Sequence, residues 1–479
     1  MLLLFLFVVS RVFLYATPDE YEPNTLIITL KNDTPSVSPA NYIHHQPDDD
    51  PPLVSPEKIM ASLQEKWGAS SYSIPFNSDV ITPYAAITDP NKKTPPTEII
   101  IASFPKNVDI TTVKQDYQMR PSVRNVEFNY YVYIDQNDPL LLPVHNRQYH
   151  IQHLSLRAAI MIDSEMSIPV AVLDTGIDAT HPGLRHAIDT SKGASFLGYS
   201  KTNSSSADIT DENGHGTHIS GIIAAKPVDN NGVWGINSQA TIIPVKFIDA
   251  TGKGSQLDAA MAIRYAVDHG AKIINCSWGY FKKISVLEDA IQYALKKGVI
   301  IVGSVGNNNT MIPEYPAAFD DVITVGALTK GSSPASYSSY GSHLDFMSFG
   351  SDIYSTLPNN GYGVLSGTSQ ATAIVSGVIS RALSLYPSMT KQGIYALIKA
   401  NATDIPPVGY DQWSGHGVVH IDGILEAFGE VPSTTAVVPV SPPLQDNSSG
   451  LLSQIQSLSS KTIWILLGLA VAVVFGVTI

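Results

Sequence analysis

Gly367-Thr368-Ser369-Gln370-Ala371-Thr372-Ala373-Ile374-Val375-Ser376-Gly377 is the stretch on which the reading of this chain turns. Gly367 and Thr368 make a tight turn, and Ser369 then opens a helix that runs on through Val378 to Leu383. The small residues after Ser369 let that helix pack closely on what lies beneath. A hydroxyl at this place stands at the positive end of a helix, beside backbone N–H groups that no carbonyl of the helix takes up. Such a place suits an oxyanion. Taken alone, a Ser or Thr here is an N-cap on a buried helix. The rest of the chain changes that reading.

Working outward, residues 170–173, 241–248, 272–275, 299–303 and 322–325 are largely apolar runs, with helical stretches at 257–268 and 286–296 between them. Apolar strands spaced by helices predict an α/β fold, a parallel sheet with helices on both faces. Ligands of such sheets sit at the carboxyl ends of the strands. Asp174 follows directly on the run 170–173, and His215-Gly-Thr-His-Ile-Ser-Gly opens a helix after the loop Asp211-Glu-Asn-Gly. A carboxylate at a strand end is often a turn former and a lone histidine is usually structural, so neither decides anything by itself. Together with Ser369 they supply a nucleophile, a base and a group to orient the base. No G-x-S-x-G occurs, which removes the α/β-hydrolase reading.

In these contexts and in this chain order, Asp174, His215 and Ser369 resemble the triad of the subtilisin-like serine proteases, the subtilase family, and within it the thermitase-like members. The resemblance covers 135–429 and, less tightly, 24–134. It implies that His215 takes the proton of Ser369 as it attacks a peptide carbonyl, while Asp174 holds the imidazole tautomer. His218, one turn on, is given a packing role. Val305-Gly306-Asn307 resembles the segment that carries the family's side-chain oxyanion donor, which makes Asn307 that residue. Ser277-Trp278-Gly279 matches the family's substrate-binding edge, along which an extended peptide pairs through its main chain. Trp278 is bulkier than the usual leucine and is expected to reshape the pocket for the fourth substrate residue. In the family the residue before a Tyr-Pro pair lies at the base of the pocket for the residue preceding the cut bond, so the resemblance implies that place for Glu314, before Tyr315-Pro316. An ionised carboxylate there calls for a basic partner, although a side chain turned to solvent is the simpler alternative.

Two departures stand out. Gln370 and Ala373 replace the family's methionine and proline, which removes a rigid element from the helix start and no catalytic group. The calcium site of thermitase-like members draws a carboxylate from a His-Pro-Asp turn, and here the turn is His181-Pro182-Gly183. Asp138, Asp229 and Asn231 match other ligand positions, so a structural Ca²⁺ is an expectation weakened by one carboxylate. The chemistry itself needs no cofactor.

The 479 residues allow two or three domains. Residues 1–16 read as a secretory signal peptide. Residues 24–134, with strand, helix, strand, helix, strand in order, form a small α+β domain that resembles the family's inhibitory propeptide. Its implied roles are to template folding and to lay its last strand in the active-site cleft, with self-cleavage within roughly 130–136 by Ser369. Residues 430–461 begin as a Pro/Ser/Thr-rich stalk, and 462–479 form an uncharged apolar tail, either a membrane anchor or the hydrophobic part of a GPI signal. Export makes Asn32, Asn203, Asn275, Asn308, Asn401 and Asn447 candidate glycan acceptors, with Asn275 unsuited because it lies in an apolar strand. The net charge of −13 argues against a nucleic-acid partner. The single cysteine, Cys276, forms no intramolecular disulfide and reads as a buried packing thiol. The expectation is a membrane-tethered serine endopeptidase of the secretory pathway or cell surface. It is made as a zymogen, acts on polypeptides and is inhibited by its own propeptide. The alternatives are an inactive binding module of the same fold and a peptide ligase using the same acyl-enzyme.

Overall fold

The computed structural model describes residues 21–30, 56–76, 97–134, 148–153, 166–228 and 232–421. The signal-peptide, stalk and tail expectations, and the calcium positions Asp138, Asp229 and Asn231, lie outside them. The elements below belong to one compact unit.

The N-terminal part contains β1 (Tyr21–Leu30), a helix at Pro56–Trp67, β2 (Ser70–Phe76), β3 (Thr97–Ser103), a helix at Ile110–Gln118 and β4 (Val123–Tyr133). The strands pair antiparallel in the order β2-β3-β1-β4. β2 was not expected from the sequence. It is an edge strand containing Pro75, and a proline is tolerated only where one side of the strand has no neighbour. The second helix starts where Asp109 Oδ1 accepts from Thr111 N at 3.0 Å. β1 and β3 read as unbroken apolar runs because both faces are covered. Leu26, Ile28 and Ile100 pack with Ile59, Leu63, Val113 and Tyr117 of the two helices. Ile27, Ile99 and Ile101 face the other way and join a cluster with Leu257, Ala290 and Ile291.

The larger part is built on β5 (Pro169–Asp174), β6 (Ala194–Ser195), β7 (Thr241–Lys246), β8 (Lys253–Ser255), β9 (Ile273–Cys276), β10 (Ile300–Ser304), β11 (Ile323–Leu328) and β12 (Phe346–Phe349). Seven of these form a sheet in the order β12-β11-β10-β9-β5-β7-β6, every pair parallel. Alternate residues of one strand serve opposite faces. Val170 and Val172 share a cluster with Ile219 and Ile222 of the helix His215–Ala224 and with Ile374 and Val378 of the helix Thr368–Leu385. Ala171 and Leu173 share another with Leu257 of the helix Gln256–Asp268 and Ile291 of the helix Ser285–Lys296. Each fully buried Val, Leu or Ile contributes about 1.5–3 kcal/mol, so covering both faces commits these strands to the interior. A hairpin of β13 (Ile353–Leu357) and β14 (Gly361–Leu365) leads into the Gly367 turn.

β8 lies outside the parallel sheet. It pairs antiparallel with the end of β4, Tyr131 opposite Ser255, Val132 opposite Gly254 and Tyr133 opposite Lys253. The N-terminal sheet therefore runs directly into the larger part.

Candidate active site

Asp174 is the last residue of β5, Ser277 follows β9 and Asn307 lies just beyond β10, so three of the predicted groups sit at the carboxyl ends of neighbouring strands. The helices carrying His215 and Ser369 pack against one another on the same face of the sheet. His215 Nδ1 lies 2.8 and 2.9 Å from the two Asp174 carboxylate oxygens, and both residues are fully buried. A carboxylate only accepts, so Nδ1 carries the proton and Nε2 presents a lone pair. Among the described residues that Nε2 has no hydrogen-bond partner.

The close fit has a visible cause in Gly216. A side-chain carbon there would lie 2.1 Å from the Gly176 carbonyl and 3.2 Å from Asp174 Cβ, so no other residue lets the helix approach the strand end. Asp211, which sequence reasoning left in a loop, anchors the same helix. Its Oδ1 accepts from Gly214 N (2.8 Å) and Thr175 Oγ1 (2.8 Å), and its Oδ2 from Thr217 N (2.9 Å) and Thr217 Oγ1 (2.6 Å). An acidic residue just before a helix start was the available signal. His218 serves the packing role expected of it. Its buried Nε2 donates to the carbonyls of Ile353 and Gly363 at 3.1 and 3.3 Å, and burial, helped by nearby His215, pushes its pKa down to about 3.

Ser369 is buried at the start of its helix, and its Oγ donates to the Ser277 carbonyl at 3.0 Å rather than to His215. Ser277 Oγ in return donates to the Ser369 carbonyl at 3.0 Å. Behind this exchange, Asn275 Nδ2 donates to Ser277 Oγ (2.9 Å) and Asn275 Oδ1 accepts from Ser376 Oγ (2.8 Å), which closes Asn275 to any glycan. Contacts between a nucleophile and its base are often unmade without substrate. Asn307 Oδ1 accepts from Thr368 N at 2.8 Å. That bond holds the carboxamide by its oxygen end, so its NH2 is the end that can serve an oxyanion next to the Ser369 N–H.

Glu314 does not face solvent. It is 4% exposed, and its Oε1 accepts from Asn308 Nδ2 at 3.1 Å. Side-chain carbons built on Gly306 and Gly279 would lie 2.1 and 3.0 Å from its carboxylate oxygens, so the carboxylate fills the space between the two segments. Gly306 also has φ +104°, a conformation that suits glycine. Tyr280 and Tyr315 exchange backbone hydrogen bonds of 3.1 and 2.8 Å, which join the segment after Gly279 to the Glu314 segment. Trp278 is buried edge-on to Phe247, 4.9 Å between ring centroids. Burial pushes the Cys276 thiol up, as expected of a packing cysteine.

A second backbone edge, β8, flanks the end of β4 and was not foreseen. Lys253-Gly254-Ser255 is too short and polar to read as a strand, and the only cue was Ser255 as a cap, accepting from Asp258 N at 3.1 Å. The end of β4 lies between the edges. Tyr133 exchanges backbone bonds of 3.4 Å each way with Gly279, and Ile134 N donates to the Gly252 carbonyl at 3.1 Å. Farther along, Glu127 accepts from Ser285 N at 3.0 and 3.1 Å, Asn129 Oδ1 from Leu257 N at 3.1 Å, and Arg124 pairs with Asp289 at 3.2 Å. Buried Glu22 accepts from Asn129 Nδ2 (2.8 Å), Ser200 Oγ (3.2 Å) and Lys201 Nζ (3.1 Å).

Residues 166–417 match the sequence profile described as the subtilase family. A thermostable alkaline protease of Halalkalibacterium halodurans is 34% identical over 370 residues, 77% of this chain and 89% of that protein. Thermitase of Thermoactinomyces vulgaris is 34% identical over 295 residues, 62% of this chain and 98% of that protein. A cell wall-associated protease of Bacillus subtilis is 38% identical over 236 residues, 49% of this chain and 26% of that protein.

Proposed function

Because this chain belongs to the subtilase family and is a subtilisin-like serine endopeptidase, we propose that Asp174, His215 and Ser369 are its triad and that its N-terminal part is an inhibitory propeptide cut by that triad. The single observation that carries this reading is the end of β4 held between two backbone edges, as an extended peptide would be, one of them the Ser277–Gly279 segment that Ser369 Oγ bonds.

The steps follow from the groups present. His215 Nε2 takes the proton of Ser369 Oγ as the oxygen attacks the peptide carbonyl, and Asp174 stabilises the imidazolium. The oxyanion is held by the Ser369 N–H and the Asn307 NH2. The imidazolium then protonates the leaving amine, and water repeats the sequence on the acyl-enzyme. No step requires a metal or cofactor, and calcium at Asp138, Asp229 and Asn231 would be structural.

The antiparallel register narrows the self-cleavage site. Tyr133 is opposite Gly279, which lies two residues from Ser277, and the Ser277 carbonyl accepts from Ser369 Oγ, so the cut is proposed two residues beyond Tyr133. The proposed cut follows Asp135. Val132 then occupies the fourth place before the cut and shares its apolar cluster with Trp278, Phe247 and Ile284. Glu314 is proposed to line the pocket for the residue preceding the cut and to favour lysine or arginine. An aspartate is a poor fit there, which intramolecular cleavage tolerates through its high local concentration. Export through residues 1–16 and attachment through 462–479 complete the proposal.

The test is labelling with a fluorophosphonate alongside peptide hydrolysis. Wild type is expected to label and to hydrolyse. Ser369→Ala is expected to do neither, with kcat lower by about 10⁶, the loss seen when subtilisin is stripped of its serine. Undiminished hydrolysis by Ser369→Ala would sink the assignment.

A further inference from the structure

On the reading that β4 occupies the substrate's place, the side chains it presents report what the cleft accepts beyond the pockets already described. Val132 points into the apolar cluster, so Tyr131 and Tyr133 lie on the other face of the strand. That face is not bare. Lys253 stands opposite Tyr133 in register, and its Nζ sits 3.5 Å from the centroid of the Tyr131 ring. No ion pair of Lys253 occurs among the described residues. Its backbone is pinned, Lys253 N donating to Asp249 Oδ1 at 3.1 Å, so the cation is carried on a fixed edge. Beneath Tyr131 and Lys253 lies a cavity of about 330 Å³, into which Asp249 and Asp258 also face. The Tyr131 ring is part of the cavity lining and offers its π-face to the ammonium. An aliphatic side chain would lack that electrostatic attraction.

We propose that Lys253 is a specificity-determining residue that selects an aromatic side chain at the fifth residue before the scissile bond, the place that Tyr131 holds when the cut follows position 135. The main-chain pairing of β8 holds any sequence equally, and Lys253 adds the discrimination.

The experiment uses the processed wild type, Lys253→Met and Lys253→Arg. Quenched peptides spanning the cleft carry Tyr, Leu, Ala or Lys at the fifth position, and mass spectrometry maps each cut. Wild type and Lys253→Arg are expected to favour Tyr over Leu by about two- to fivefold in kcat/KM, the range of an exposed cation–π contact. Lys253→Met is expected to lose that ratio. An unchanged ratio in Lys253→Met, or no preference in wild type, overturns the assignment while the cleft reading stands. A peptide copying residues 127–139 that is cut elsewhere than after its Asp135 equivalent overturns the cleft reading and the subsite with it.

Discussion

The seven-stranded sheet and the seam between the N-terminal and larger parts are both buried, but they are held by different chemistry. Inside the sheet, buried apolar side chains such as Val170, Ile273 and Ile301 dominate, and polar groups such as Asn275 are satisfied by neighbours that never leave. The seam has an apolar centre of Ile27, Ile99, Ile101 and Val132. Around it stand Arg124 with Asp289, Glu127 on Ser285, and Glu22 with Lys201. Arg124 and Lys201 stay about half to two-thirds exposed, and ion pairs with such exposed partners contribute little, about 0–1 kcal/mol each. The comparison teaches that the sheet is held by apolar burial throughout, whereas the seam surrounds an apolar centre with a polar rim.

The catalytic side of the comparison gives the largest expected effect. Asn307→Ala should lower kcat by about 10²–10³, the loss recorded for the matching asparagine of subtilisin, with KM little changed. Steady-state kinetics check it, and an effect confined to KM would mean that Asn307 binds substrate rather than the oxyanion.

Glu314→Gln comes next. It should reduce the preference for lysine or arginine before the cut by about tenfold to a hundredfold in kcat/KM, the worth of a hydrogen bond to a charged group. A positional peptide library with wild type and variant measures it, and equal acceptance of basic residues by both contradicts the pocket role.

The seam responds more modestly. The helix Ser285–Lys296 has no side-chain cap of its own, and Glu127 supplies one from the N-terminal part. Glu127→Ala should raise the inhibition constant of the separated propeptide by about 5- to 30-fold, from a cap worth about 1–2 kcal/mol. Inhibition by wild-type and variant propeptide measures it, and equal constants would show that the cap adds nothing.

The smallest expected effect is a pH dependence. Burial, with the Glu22 charge beside it, pushes the Asp258 carboxyl up to about 7. Lys201, Lys253, Asp249 and Tyr131 line the same cavity. A raised carboxyl pKa means that the assembled state holds the proton more tightly. Its contribution is fully present below the ordinary carboxylate range and is lost as pH rises towards 7. Propeptide binding should therefore weaken from pH 5 to pH 8, by no more than about tenfold per pH unit for one proton. Asp258→Asn should flatten that trend, and a slope that survives in the variant assigns the proton elsewhere.

The fold was legible because buried parallel strands leave long apolar runs, and the runs around Val170, Ile273 and Ile300 needed no partner to identify them. The candidate triad was legible because Asp174, His215 and Ser369 stand in family-like contexts in the right chain order, and Gly216 lets the His215 helix approach the end of β5. β8 was not legible, since Lys253-Gly254-Ser255 becomes a strand only when β4 lies beside it. Asp211 was hidden for a related reason, as its hydrogen bonds to Thr175, Gly214 and Thr217 unite segments that the sequence separates. The direction of Glu314 rested on the space between Gly279 and Gly306, which no local pattern encodes.

The most direct measurement is the N-terminal sequence of purified wild type and of Ser369→Ala, both made in a protease-free translation system. The account predicts that wild type yields a fragment beginning at Gln136, with the propeptide still bound, while Ser369→Ala remains joined through residues 130–136. The same cut in Ser369→Ala would contradict it.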